Sequence, residues 1–308
     1  MLFRSNRARN KRLYLYVKSI MLSRVFFVVM IVLVVSCKKQ EEVVVTGNTP
    51  PPDNTYSSQV YEDYVTRTYI RLLGREPLSI EMKSALSKLY QHSLSKSDRL
   101  NFLNDLFTKQ EYYGHAYDDF RVELLNNLDS TDIPNEIYLF DILAHDSTYI
   151  TVWAALDFEI GRLRTLQNSP TLYANHTISI IQMQRSMVDN YFYDQLNMGS
   201  VNFVVSVFQH FLYRTPTQQE QDAAAAMVDG TNAALFLQTG LSKTDLLNIF
   251  FSSNDYYEGQ VVRAYQKFLF RQPTSVEMNE ATIKYKNSND YIQLQKDILS
   301  ADEYVFSN

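Results

Sequence analysis

"YRTPTQQE", residues 213–220, has two near-copies in the same chain, "GREPLSIE" at 74–81 and "FRQPTSVE" at 270–277. Each follows an aromatic and leucine-rich run, and all three share the frame Arg-x-Pro-x-x-x-Glu. Proline cannot continue a helix, and it pushes the residue before it out of the α region. The incoming helix is therefore expected to stop at or near the arginine. In two copies Thr217 and Thr274 stand where they can cap the next helix, with Glu220 and Glu277 three residues on to close a capping box. The first copy has Leu78 at that place, which leaves Ser79 or a weaker cap as the expectation. Arg75, Arg214 and Arg271 end one helix while Glu81, Glu220 and Glu277 open the next, so a salt bridge is expected across each elbow. The frame reads as a helix–turn–helix corner used three times, with these six residues as structural pairs.

The likeness extends outward from the corners. "LSKSD" at 94–98 returns as "LSKTD" at 241–245, and each precedes a short apolar stretch running into "TKQEYY" (108–113) or "SSNDYY" (252–257). The third copy closes on "SADEY" at 300–304. One unit thus reads as an aromatic helix, the corner, a second helix, a short third helix, and Ser/Thr-x-x-acid-Tyr. The expected units are 57–121, 201–259 and 260–308. Repeats of this length imply stacked supersecondary modules. "YEDYVTRTYIRLL" places Tyr61, Tyr64, Val65, Tyr69 and Leu72 on one stripe at spacings of three and four. Glycine is scarce and long alternating stretches are absent, so the fold class is all-α.

Residues 122–200 form a non-repeated insert, read as three helices broken at Asp146-Ser147 and at "QNSPTLYAN". It holds the only tryptophan, Trp153, and the run Met183, Met187, Met198, and the spacings of three and four around Ile180, Met183, Met187 and Tyr191 favour core packing. A departure from the repeat is the place to expect a specific site.

"LLGREP" with "SADEY" resembles the phycobilisome linker domain and the related helical repeats of bacterial surface proteins. The resemblance covers roughly half of the chain and implies scaffolding through protein contacts. "LYRTP" and "LFRQP" depart from it by lacking the glycine.

The N-terminal stretch reads as an address. Residues 1–24 carry seven basic residues and no acid, and "VFFVVMIVLVV" at 25–35 suits a signal-peptide core. "VVSC" resembles the bacterial lipobox, which marks Cys37, the only cysteine, for lipidation after removal of 1–36. Either Met1 or Met21 can open such a leader. "CKKQEE" resembles the export signals of surface lipoproteins in Bacteroidota. Residues 37–56, with three consecutive prolines, read as a flexible tether. The expected location is the outer membrane, on its periplasmic or cell-surface face.

Of the 29 Lys and Arg, loss of the seven in the leader leaves 22 against 34 Asp and Glu, a net charge of −12. Nucleic-acid binding needs a basic footprint, so that class is excluded. A single cysteine excludes disulfides and thiolate metal sites, and no Cys-x-x-Cys-His is present for covalent haem. The five histidines do not pair at helical spacing, and Asp129, Asp132, Asn135 and Glu136 lack the glycine and spacing of a calcium loop. No nucleophile elbow or phosphate loop appears. The adjacent Asp118 and Asp119 point apart on a helix and read as a solvated face. Tyrosine is abundant, 22 in all, and most of these rings are assigned to packing. In the pairs Tyr112-Tyr113 and Tyr256-Tyr257 one ring is expected inside and one available.

These readings assign no cofactor, metal or catalytic residue. The expected function is a membrane-anchored, non-enzymatic envelope scaffold with a protein partner. The alternative is a glycan-binding or glycan-processing surface lipoprotein with a cleft between insert and repeats, using acids such as Asp129 or Asp157.

Overall fold

The computed structural model describes residues 56–306, and Cys37, the leader and nearly all of the tether lie outside the described residues. The first unit comprises α1 (Ser58–Leu73), α2 (Ser79–Leu89) and α3 (Lys96–Phe107), and its closing motif opens α4 (Gln110–Leu124). The insert holds α5 (Asp132–His145), a 3₁₀ turn (Ser147–Val152), α6 (Trp153–Ala174), α7 (Ile180–Val188) and α8 (Tyr191–Leu196). The second unit follows as α9 (Ser200–Leu212), α10 (Gln218–Val228), a hairpin of β1 (Ala233–Leu235) and β2 (Gln238–Gly240), and α11 (Lys243–Ser252). Next come α12 (Asn254–Leu269), α13 (Ser275–Ser288), α14 (Tyr291–Leu299) and α15 (Asp302–Phe306). The fold is all-α, with the hairpin as the only sheet among the described residues. No helix among them is long and apolar enough to cross a membrane.

The stripe on α1 is the buried one, with Tyr61, Tyr64, Val65, Tyr69 and Leu72 all inside. The helices entering the corners end two residues before the arginine, at Leu73, Leu212 and Leu269. The intervening residue takes the left-handed conformation each time, at Gly74 (φ 71°), Tyr213 (φ 54°) and Phe270 (φ 56°). A left-handed residue ends the helix by turning the chain away, whether or not it is glycine. Thr217 and Thr274 cap α10 and α13 within full capping boxes. In the first corner the cap position is Leu78 rather than Ser79, which is already helical. Leucine offers no side-chain acceptor, so only the glutamate half of the box forms, with the Leu78 N–H donating to Glu81 Oε2 at 2.9 Å.

Three other sequence expectations are corrected. Helix α6 runs through "QNSPTLYA" with Pro170 inside it. Pro170 has no N–H for the carbonyl of Leu166, and the buried Ser169 hydroxyl donates to that oxygen instead, at 2.8 Å. The break comes only at the end of that stretch, between Ala174 and Ile180, and a further one at Asn190, which caps α8, splits the expected third helix into α7 and α8. The boundary at 259/260 lies within α12, so one helix both closes the second unit and opens the third. Finally, both rings of each tyrosine pair are buried. Tyr113 packs edge-on against Tyr173 of α6 at 5.1 Å, and Tyr257 against Tyr285 of α13 at 5.2 Å, so the second ring meets a helix in each case.

The third unit returns to the first. The Tyr64 hydroxyl donates to the carbonyl of Leu299 at 3.2 Å, and Tyr304, fully buried, lies edge-on to Tyr64 at 5.9 Å. Arg99 of α3 reaches Asp302 at 2.7 Å, and Gln295 donates to the Tyr112 hydroxyl at 2.9 Å. The insert is tied in through α7, where Met183 and Met187 are fully buried and Gln184 donates to Gln260 of α12 at 2.8 Å.

Candidate functional site

The residues singled out by the repeat meet in three clusters. Arg75 donates to both oxygens of Glu81 at 2.7 and 3.0 Å, Arg214 to both of Glu220 at 2.8 and 2.7 Å, and Arg271 to both of Glu277 at 2.8 and 2.7 Å. Each arginine also holds a second acid. Glu111 accepts from Arg75 at 2.9 and 3.0 Å, Asp255 from Arg214 at 2.7 Å, and Glu303 from Arg271 twice at 2.6 Å. These second acids are the acidic residues of the Ser/Thr-x-x-acid-Tyr motifs. The motif was visible in the sequence, but nothing local to it shows that its acid turns back to an arginine 32 to 41 residues earlier.

An aromatic ring six residues before each arginine completes the cluster. The guanidinium lies 5.6 Å from the Tyr69 ring centre, 5.2 Å from that of Phe208 and 5.2 Å from that of Tyr265. Arg271 and Arg75 also donate to the carbonyl of the following residue, at 2.9 and 3.0 Å, so all five N–H groups of each are engaged. Fork-on-fork pairing favours the ionised acids. Hydrogen bonding from Arg214 and Arg271 lowers Glu220 and Glu277 to about 2, and Arg75 holds Glu81 still further below the ordinary carboxylate range. In the first and third corners such a cluster locks three helix ends and keeps no arginine donor free for a ligand.

A second concentration of charge joins α4 to α12. Lys267 pairs with Asp119, whose other neighbour His115 lies 3.6 Å away, and Arg263 pairs with Glu123 while its guanidinium sits 4.2 Å from the Phe120 ring centre. Burial pushes both His115 and Lys267 down, toward their neutral forms. Asp118 turns the other way, accepting from Arg121 at 3.2 Å, so the two adjacent acids serve different partners. Asp129 caps its own loop by accepting from the N–H and hydroxyl of Thr131 at 2.8 and 2.7 Å. Asp157 stands exposed on α6. No group of three or more His, Cys, Asp or Glu side chains able to hold a metal occurs among the described residues.

The turn end of the insert is of another kind. Tyr138, Leu139 and Ile142 of α5, Ile150 and Val152 of the 3₁₀ turn and Phe158 of α6 are each 42–69% exposed. The 3₁₀ turn has no buried residue at all. Between Arg121 and Arg162 the chain carries no Lys or Arg, and Arg162 itself lies over the Phe158 ring, 5.1 Å from its centre. No protein-family model matches the chain, and neither a curated protein nor a solved structure matches it.

Proposed function

We propose that this protein is a membrane-anchored, non-enzymatic lipoprotein of the outer envelope, acting as an interaction module for a protein partner. The observation that carries the reading is the apolar turn end of the insert. Its large side chains lie open to water, where a monomeric soluble surface keeps apolar groups dispersed. The phycobilisome-linker resemblance of the corners supports the same class of work. So does the state of the arginine clusters, whose hydrogen bonds go to helix ends. Lipidation at Cys37 and the tether would hold this surface near the membrane, each buried methylene of an acyl chain adding about 0.8 kcal/mol.

Photo-crosslinking from position 150 in native membranes, followed by mass spectrometry, tests the reading. One stoichiometric protein partner, lost when Phe158→Ser is added, is the expected result. Absence of a partner, together with a glycan that raises the melting temperature, would overturn it. Cys37→Ala should leave the chain unprocessed or release it from membranes.

A further inference from the structure

The first and third units each carry an open groove between their second and third helices, and the grooves are built alike. In the third unit it offers about 110 Å³, between α13 and α14, and in the first about 260 Å³, between α2 and α3. Counted from the corner arginine and from the closing acid, the walls coincide. Tyr69 matches Tyr265, Ala85 matches Ala281, and Leu106 matches Ile298. An ion pair spans each groove at the same place, Lys88 with Asp105 and Lys284 with Asp297.

The second unit has the same framework, but its groove is filled. The place of the lysine is taken by Met227 and that of the aspartate by Ile249, both buried. Over them lies the hairpin. A Cβ on Gly240 would sit 3.1 Å from Met227 Sδ and 3.3 Å from Ile249 Cδ1. At the other end the Phe236 ring is 6.1 Å from Phe208, the counterpart of Tyr69 and Tyr265. Leu235, next to Phe236, is buried. The connection that forms this plug has 14 residues, 229–242, against six in the first unit and two in the third. The short connections of the first and third units cannot fold back as a plug.

We infer that the grooves of the first and third units are docking sites for a turn-forming apolar segment of a partner protein, and that the hairpin shows the mode of binding in cis. Charge narrows the occupant. The third groove is lined by Glu277, Asp290, Asp297 and Glu303 against Lys284, and even with Arg271 behind the two glutamates the balance is −2. In the third groove the segment that fits therefore carries Lys or Arg beside its apolar residues, whereas the first, lined by Glu81 and Asp105 against Lys88 and Lys109, is balanced and sets no such demand. Such a partner would be captured as β-turn ligands are, by side chains set into pockets along a short, pre-bent backbone. This site is separate from the insert face and does not depend on it.

The probe is a cyclised, fluorescein-labelled peptide copying residues 232–241, with Lys in place of Gln238, titrated against the full chain in detergent and read by anisotropy. Saturable binding is expected, weakened at least tenfold by Ala281→Trp or Ala85→Trp, whichever groove is used. No binding, or binding indifferent to both substitutions, would overturn the proposal. Because a tryptophan could disturb the fold, a photoreactive group in place of Phe236 of the peptide supplies a second reading on the unaltered protein. Crosslinks to α13 and α14, or to α2 and α3, are expected, and crosslinks confined to the insert would overturn the assignment. Equal affinity of the Lys and Gln peptides would remove the basic character of the partner. A full chain that is dimeric, and made monomeric by Leu237→Ser, would assign the grooves to a second copy instead.

Discussion

At the residue scale the protein is decided by three arginines, each gripping an acid six residues ahead and another from the end of its unit. Replacing Arg271 by Gln should leave Glu277 and Glu303 facing each other without their shared donor. In a double-mutant cycle, Arg271→Gln with Glu277→Gln should show coupling above the ~0.2–1 kcal/mol of ordinary exposed pairs, because the geometry is bidentate and networked. The pH dependence has a definite sign. Glu220 and Glu277 sit at about 2 in the folded chain against 4.5 for a free glutamate. Their stabilisation is therefore complete above pH ~4.5 and is lost as pH falls toward ~2. Urea unfolding across that window should show a steeper loss in the natural chain than in the Arg214→Gln, Arg271→Gln variant; parallel curves would contradict the assignment.

At the element scale two local arrangements hold helices in unusual places. Pro170 survives inside α6 because the Ser169 hydroxyl takes over the orphaned Leu166 carbonyl. Ser169→Ala should cost about 1–3 kcal/mol, the penalty of a buried unpaired acceptor. In a Pro170→Ala background the restored N–H should make the same change much cheaper, by chemical denaturation. The crossing of α12 with the end of α9 is closer still. A Cβ on Gly259 would stand 1.8 Å from the carbonyl oxygen of Phe211, so Gly259→Ala must push the helices apart. Its cost should reach or exceed the upper end of the ~1–3 kcal/mol typical of overpacking. In the first unit the equivalent of Gly259 is His115, and there it is Gly74, at the end of α1, that makes the room. The first and second units thus each place one glycine at this crossing, on opposite partners.

At the scale of the whole molecule the ends of the described chain meet, and the surface is left apolar at the insert turn. Tyr304 is fully buried against α1, whereas Tyr138 is 69% exposed. Tyr304→Ala should destabilise by ~3–5 kcal/mol, as loss of a buried aromatic does, while Tyr138→Ala should stay within ~0.5 kcal/mol. If thermal unfolding instead ranked the two alike, the third unit would not close on the first.

The sequence by itself determined the all-α class, the three corners, the stripe on α1, the threonine caps at 217 and 274 and the buried methionines of α7. All of these follow from periodicity, proline and capping, whose causes lie within a few residues of the effect. Only the tertiary structure decided which acids complete the arginine clusters, since Glu111, Asp255 and Glu303 come from helices distant in sequence. It also decided that α6 continues past Pro170, because the compensating hydroxyl acts only once the helix exists. The plugged groove of the second unit was hidden for a similar reason. "AALFLQTG" carries no strand alternation long enough to read, and its conformation is set by the Met227 and Ile249 side chains it covers. Local signals name the elements here, and contacts between elements far apart in the chain choose which of their surfaces stay open.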